Sequence, residues 1–389
     1  MRILMINSVC GIRSTGRICT DLAEALGKQG HEVKIGYGRE SVPEKYRRFA
    51  VRISSETEAK LHGVKARLFD ADGLGSKRAT ARFLRFVEEF NPDVIHLHNL
   101  HGYYINVPML FRYIIENNKK VIWTLHDCWA FTGHCCNLNG CDKWKSLCNA
   151  CPKHKLYPAS ITDRSHLNYQ RKKELFTAVK DLTVITPSQW LADLAKQSFL
   201  GSSRIEVIPN GIDLDVFRSR QSDFKSRNGL ENKKVVLGVA SAWSKSKGLC
   251  DFFKLAELLP DDYKIVMVGL KDEQMGLVPE NILAIKRTNN VQELAEIYTA
   301  ADVFVNATYN DNYPTVNLEA QACGTPVLTY RTGGSVESVP AENVVEQGNL
   351  QELKDKILAN DFACHPNLKM DKNDMLKEYV THLVVKNCD

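Results

Sequence analysis

Short apolar runs alternate with amphipathic stretches along nearly the whole chain. Residues 2–6, 32–36, 94–98, 120–125 and 182–186 read as buried strands, and a second series follows at 235–240, 264–268, 303–306 and 326–329. Between the runs, apolar residues recur three or four apart. Leu22, Ala23 and Leu26 do so within 18–29, and Leu294, Ile297 and Tyr298 within 291–300. That spacing gives a helix one buried face. Strands alternating with helices predict an α/β fold with parallel sheets covered on both sides. The series breaks between about 187 and 234, where Ile208-Pro209-Asn210-Gly211-Ile212-Asp213 forms a turn-rich joint before the polar run 218–234. The break predicts two doubly wound, Rossmann-like domains, 1–207 and 208–374. A last helical stretch, 375–385, lies in a tail (375–389) that suits packing back on the first domain. Ligands of such sheets sit beyond the carboxyl ends of the strands. The expected site is therefore a cleft between the two facing domains.

Length agrees with this division: 389 residues exceed one compact core. A content of 44% hydrophobic and 25% charged residues is that of an ordinary soluble globular protein. The net charge of +5 is unevenly spread. Arg39, Lys45, Arg47, Arg48, Arg52, Lys60, Lys65, Arg67, Lys77, Arg78, Arg82 and Arg85 crowd one early region. Such a patch can attract anionic lipid or nucleic acid; a solvated face plus a mobile basic loop is the plainer account. No run of about 20 apolar residues is present to span a bilayer. Met1–Asn7 reads as a first buried strand, not a signal peptide, because it lacks a long apolar core and a small-residue cleavage site. The chain is expected in the cytoplasm, and its 12 cysteines as thiols or metal ligands.

The densest candidate chemistry is Asp311-Asn312-Tyr313-Pro314-Thr315-Val316-Asn317-Leu318-Glu319-Ala320, followed by Cys323-Gly324-Thr325-Pro326-Val327. Pro314 suits a helix entry, and the free N–H groups of such an entry attract phosphate. Asp311 falls in the loop before the helix and Glu319 about one turn inside it. Both then reach one ligand whose phosphates rest on the helix N-terminus. The spacing equally suits an ordinary surface helix with two solvated acids.

Other segments take strand-end positions. Gly11-Ile12-Arg13-Ser14-Thr15-Gly16-Arg17 follows the first strand, where Gly16 lets a ligand approach; it is neither a P-loop nor the dinucleotide fingerprint. His98 and Asn99 end the strand at 94–98, and His126 ends the strand at 120–125. Lys245-Ser246-Lys247-Gly248 follows a strand of the second series, and Lys247, beside the glycine, is the better placed to neutralise a diphosphate leaving group. Cys128, Cys135, Cys136, Cys141, Cys148 and Cys151 crowd one segment that includes a Cys-x-x-Cys knuckle. Cys135, Cys141, Cys148 and Cys151 suit a tetrahedral structural zinc; an iron–sulfur cluster matches the spacing less well, and buried thiols remain the plain alternative. Asp70-Ala71-Asp72 and Asp213-Leu214-Asp215 imitate a metal-binding Asp-x-Asp without its strand setting.

Taken together the chain resembles the family-4 retaining glycosyltransferases of GT-B fold. The resemblance runs from the Gly16 loop to about Pro340 and is most specific at Asp311, Glu319, Ala320 and Gly324–Val327. Pro209-Asn210-Gly211-Ile212-Asp213 and Ala300-Ala301-Asp302-Val303-Phe304-Val305 also fit. His126-Asp127-Cys128-Trp129 with its trailing cysteines is similar to a subgroup of bacterial exopolysaccharide, capsule and O-antigen (lipopolysaccharide) assembly. The resemblance implies a nucleotide-diphosphate sugar donor, UDP- or GDP-linked, and a lipid-linked glycan acceptor at the inner face of the plasma membrane. It implies no nucleic acid partner and no catalytic metal. Glu319 then bonds the ribose, Asp311 the donor sugar and Lys247 the diphosphate, while His126 faces the transferred sugar. The donor is expected against Gly16, Arg17, Lys245, Arg287, Tyr313, Pro314, Thr315 and Val316, and the acceptor against Ser14, His98 and Asn99. Two positions depart from the family pattern. The first acid is usually Glu, here Asp311, and the basic residue five before Lys247 is here Ala242, so Lys245 or Arg17 has to supply that charge. A GT-B epimerase and an inactive sugar-nucleotide-binding protein are the other readings.

Overall fold

The computed structural model describes residues 1–138 and 140–384. The chain forms two compact units, residues 1–208 joined by the chain from 376 onward, and residues 209–375.

The first unit is a seven-stranded sheet. Its strands are β1 (Arg2–Ile6), β2 (Glu32–Tyr37), β3 (Ala50–Arg52), β4 (Val94–Leu97), β5 (Lys120–Thr124), β6 (Leu182–Thr186) and β7 (Arg204–Val207). The order is β3-β2-β1-β4-β5-β6-β7, parallel throughout. Ile3, Leu4, Met5 and Ile6 are fully buried, as a central strand covered on both faces requires. Ile6 pairs with Gly36 on one side and Leu97 on the other. The chain leaves β1 and β4 in opposite directions, which opens a crevice at their carboxyl ends. One core cluster packs Trp123 edge-on against Phe176 at 4.9 Å and Phe111 against Phe176 at 4.3 Å.

Local sequence accounts for the helix ends. Ser55 and Glu58 form a capping box for the helix Glu56–Phe69, and Asn106 caps Val107–Glu116 with Pro108 in its first turn. Each such cap stabilises by about 1 kcal/mol. Two expectations are corrected here. Residues 187–207 are not a break: they hold the helix Gln189–Gln197, capped by Ser188, and the strand β7. The early basic region is also not one mobile loop. Its second half forms the helices Glu56–Phe69 and Lys77–Phe90, the latter burying Phe83, Val87 and Phe90. The final helix is Lys372–Val384. Tyr379 on it is buried and accepts from Thr124 Oγ1 at 3.3 Å, and Lys120 Nζ donates to the His382 carbonyl at 3.2 Å, so the helix from 376 packs against the first unit's sheet. The remainder of the expected tail, 385–389, lies outside the described residues.

The second unit is a six-stranded parallel sheet. Its strands are β8 (Lys234–Val239), β9 (Tyr263–Val268), β10 (Ile282–Ile285), β11 (Val303–Asn306), β12 (Val327–Tyr330) and β13 (Val344–Val345), in the order β10-β9-β8-β11-β12-β13. The order again reverses at its central strand β8, so the loops after β8 and β11 flank one crevice. They pack closely. Gly248 has φ +76°, and a Cβ there would lie 2.4 Å from the Ala307 carbonyl oxygen, so only glycine fits. Among the described residues no helix is long and apolar enough to cross a membrane.

Candidate functional site

In the second unit the loop after β8 holds a short 3-10 turn, Lys245–Lys247, which runs into the helix Leu249–Leu258. Trp243, buried, anchors the loop by donating from Nε1 to the Val268 carbonyl at 2.9 Å. Lys247 Nζ reaches across to Asp311 Oδ2 at 2.6 Å, in the loop after β11. The two loops are joined again by the Tyr309 N–H, which donates to the Ser246 carbonyl at 2.8 Å. Tyr309 and Tyr330 both donate to Asp251 Oδ2, at 2.8 and 3.2 Å, which fixes the helix behind Lys247.

Pro314 is the N-cap of the helix Thr315–Ala322. Its first turn has no acidic side chain, so the positive end of the helix dipole is left for a ligand. Asn317, fully buried, holds the helix: its Oδ1 accepts from Asn306 at 2.8 Å and its Nδ2 donates to Ser338 at 2.9 Å. Glu319 Oε2 accepts from the buried Tyr298 hydroxyl at 3.0 Å. Tyr313 is buried and its carbonyl accepts from Asn210 Nδ2 at 3.0 Å, which ties the Pro209–Asp213 joint to this loop. Lys245 and Arg287 are exposed, the latter just past β10. The structure thus gathers Lys247, Asp311, Pro314, Thr315, Val316 and Glu319 on adjoining loops and one helix.

The first unit brings together its own strand ends. Asn7, directly after β1, donates from Nδ2 to the Val9 carbonyl at 2.9 Å and to Thr15 Oγ1 at 3.2 Å. Its Oδ1 accepts from the Asn99 N–H at 3.3 Å, so Asn7 couples the glycine turn to the end of β4. The glycine at 16 is explained by its own chain. It is buried, and a Cβ there would lie 3.1–3.3 Å from Val9 and Gly11. Ser14 and Arg17 are exposed on the helix Arg13–Lys28.

His98 Nδ1 and His126 Nε2 are 3.0 Å apart with their rings stacked. His96 lies beside His98 and bonds Thr124 Oγ1 at 2.9 Å. Burial, with neighbouring imidazoles adding to it, pushes all three below the usual imidazole range, His126 to about 4 and His96 to about 3. Near neutral pH they are uncharged hydrogen-bonding rings. His101 behaves oppositely. Burial depresses it, but the Asp127 carboxylate 2.7 Å away outweighs burial and raises its pKa. Asp127 also accepts from the Trp129 N–H at 2.8 Å.

Sequence reasoning did not find Tyr298, Asn317, Asp251 or the pairing role of Asp127. Tyr298 and Asn317 sit on buried helix faces, and Asp251 on an amphipathic helix. Only buried polar residues in otherwise apolar faces hinted at them. Cys135, Cys141, Cys148 and Cys151 line one small cavity with Thr132, His134 and Lys143. The three potential metal-ligand atoms found within 4.8 Å of one another among the described residues are instead those of His101, Asp127 and Cys136. Their closeness follows from the His101–Asp127 hydrogen bond.

Comparison with known proteins adds family and fold. Residues 15–216 match the model of Glycosyltransferase Family 4, and residues 220–360 that of Glycosyl transferases group 1. The chain is 27% identical, over 98% of both chains, to the putative colanic acid biosynthesis glycosyl transferase WcaC of Escherichia coli K12. Among solved structures it is similar to Anabaena Alr3699/HepE in complex with UDP, with TM-score 0.68 and 14% identity over 98% of this chain and 99% of that one. It is also similar to WaaG, a glycosyltransferase involved in lipopolysaccharide biosynthesis, with TM-score 0.65 and 16% identity over 99% and 100%. The two parallel sheets with these neighbours make the fold GT-B.

Proposed function

Since the chain belongs to glycosyltransferase family 4, we propose that it moves a sugar from a nucleotide-diphosphate donor to a lipid-linked glycan during assembly of a bacterial surface polysaccharide, with retention of anomeric configuration. WcaC, named for colanic acid biosynthesis, and WaaG, named for lipopolysaccharide biosynthesis, support the process; HepE bound to UDP supports the donor class. The observation that carries the reading is the Lys247–Asp311 pair at the entry of the helix Thr315–Ala322, with Glu319 one turn further on.

The diphosphate rests on the N–H groups at Thr315 and Val316 and against Lys247, and the exposed Lys245 and Arg287 are the further cations offered to it. Glu319 takes the ribose hydroxyls and Asp311 a sugar hydroxyl. In the first unit the neutral His126, held by His98, donates to or accepts from a sugar hydroxyl; Ser14, Arg17 and Asn99 edge the same strand ends. A front-face transfer lets the departing phosphate oxygen take the acceptor's proton, so no protein nucleophile is required. The protein's share is orientation and charge stabilisation. Because Lys247 and the helix dipole neutralise the leaving group, turnover is expected to need no added divalent cation.

The acceptor reading has its own support. The helix Glu56–Phe69 exposes Leu61, Val64, Leu68 and Phe69, and Ile161 adjoins its end through an N–H donated to the Arg67 carbonyl at 2.7 Å. Lys60, Lys65 and Arg67 share that exposed helix. Apolar side chains among cations suit the anionic inner face of the plasma membrane.

The test is to incubate the purified chain with UDP- and GDP-sugars, with and without lipid-linked glycan extracts. Sugar transfer that requires acceptor and retains the anomer supports the reading. Conversion of the donor sugar without acceptor would make the protein an epimerase, and nucleotide binding without either reaction would make it a binding protein.

A further inference from the structure

Between β5 and the helix Ser165–Thr177 the chain makes an insertion without long regular structure: among its described residues only two three-residue 3-10 turns occur, Trp129–Phe131 and Lys143–Lys145. Such a segment needs some other constraint to hold a defined shape. Part of that constraint is polar. His134 Nδ1 is 2.6 Å from Asp70 Oδ1, both buried, and Lys172 Nζ donates to the Trp129 and Thr132 carbonyls at 2.6 and 3.0 Å. These contacts hold the start of the insertion. Among the described residues further on, the buried Trp144 packs on Phe131, Lys143 Nζ donates to the Asn149 and Ala150 carbonyls, and four half-buried thiols line one small cavity.

We infer that Cys135, Cys141, Cys148 and Cys151 bind one zinc ion, which staples the insertion. Cys135 Sγ and Cys151 Sγ stand 3.6 Å apart. Two thiolates on a tetrahedral zinc, with Zn–S near 2.3 Å, are separated by roughly 3.8 Å. The distance is far beyond a disulfide bond of about 2.05 Å. Cys148 Sγ accepts the Gly133 N–H at 3.3 Å, which fixes that sulfur at the cavity wall. Cys148 and Cys151 form a Cys-x-x-Cys turn, which presents two sulfurs to one point. No three of the four sulfurs lie within 4.8 Å of one another, so binding has to draw both Cys141 and Cys148 onto the Cys135–Cys151 pair. Zinc displaces four thiol protons to solvent, and the complex carries two negative charges. Lys143 lines the same cavity to offset them.

The His101–Asp127–Cys136 group is the competing site. Its histidine and carboxylate already bond each other at 2.7 Å, and it offers one thiol where the insertion offers four.

The staple lies between the parts of the first unit that the proposed reaction uses. From Cys135 the path runs through its carbonyl to Thr132 Oγ1 (2.6 Å), then Lys172, Trp129 and Asp127, beside His126. On the other side Ser160 Oγ accepts the Asp70 N–H at 2.8 Å and Thr162 Oγ1 donates to the Leu68 carbonyl at 2.9 Å, at the end of the apolar helix.

The full chain, purified under reducing, chelator-free conditions, is analysed for metal by mass spectrometry, then stripped and titrated with cobalt(II). Zinc at one per chain, and cobalt with sulfur-to-metal charge-transfer and tetrahedral d–d bands, are expected. Cys151→Ser and Cys141→Ser should lose the metal, while Cys136→Ala and His101→Gln should keep it. No bound metal and no cobalt bands in the wild-type chain would overturn the site. Loss of metal in Cys136→Ala and His101→Gln with retention in Cys151→Ser would overturn it in favour of the His101 group. Because the wild-type spectrum alone decides between binding and none, the outcome stands even where a variant fails to fold, and it is independent of whether sugar transfer is observed.

Discussion

Lys247 Nζ stands 2.6 Å from Asp311 Oδ2, although 64 positions separate the two residues in the chain. The pair closes the gap between the loops after β8 and β11 at the mouth of the helix Thr315–Ala322. Lys247→Ala is expected to lower kcat/KM by roughly 10²–10³-fold, the loss typical of removing one donor to a developing oxyanion. Stability should change by no more than about 1 kcal/mol, because the pair is partly exposed. Steady-state kinetics with thermal melts check this. Activity surviving at full strength would move the diphosphate contact to Lys245 or Arg17.

Glu319 receives the Tyr298 hydroxyl. Glu319→Ala should weaken nucleotide binding by about 1.5–3 kcal/mol, the range for a hydrogen bond to a charged group. Tyr298→Phe should weaken it less, because the carboxylate stays but loses its orientation. Calorimetric titration with UDP and GDP reads both. Unchanged affinity in Glu319→Ala would exclude this helix as the ribose site.

Stability should depend on pH in a calculable direction. His96, His98 and His126 have folded pKa values depressed chiefly by burial. Below about 6.5 the unfolded chain binds protons on them that the folded chain refuses. Their contribution is therefore present above that value and is lost as pH falls toward about 4, where His126 titrates, by at most ~1.4 kcal/mol per pH unit for each ring. His101 has the opposite sign. Its raised pKa gives stability that is full below the unfolded value and lost as pH rises through the folded one. Melting temperature against pH should fall steeply on the acid side, and His98→Asn should flatten that limb. An acid limb as steep in the variant as in the wild type would show that His98 is not one of the groups.

His134 and Asp70 form a buried pair, and Asp70 Oδ2 also accepts the Arg164 N–H at 2.8 Å. His134→Ala leaves that carboxylate buried with one partner fewer and should cost about 3–5 kcal/mol. Urea denaturation of the full chain measures it. A loss under 1 kcal/mol, on the scale of an exposed pair, would contradict the burial argument.

Leu61→Ser with Val64→Ser should abolish flotation of the chain with anionic phosphatidylserine vesicles without altering UDP affinity. Persistent flotation would place the lipid contact elsewhere on the basic region.

Much of the fold was legible along the chain. The runs at 2–6, 182–186 and 303–306 became strands at those bounds, because a strand buried on both faces must be apolar throughout. Edge strands were not legible. β3 and β13 are two or three residues long and β7 is half-exposed, so these leave no clear run; β10, also at an edge, is an apolar run of only four residues, at the lower limit of a strand signal. Asp311 and Lys247 stood out because each lies in the loop after a strand, and Glu319 because it lies one turn inside the helix that Pro314 opens; local sequence encodes those positions.

What the sequence determined by itself is what depends on neighbours in the chain: element type, the helix entry at Pro314, the Cys-x-x-Cys turn and the presence of two α/β units. What the tertiary structure decided is which of these residues meet. Nothing local predicts that Tyr298 finds Glu319, that Asn7 finds Asn99, or that Asp127 takes His101. Those partners are brought together by parallel pairing, which joins strands far apart in the chain and gathers their carboxyl ends on one edge of each sheet.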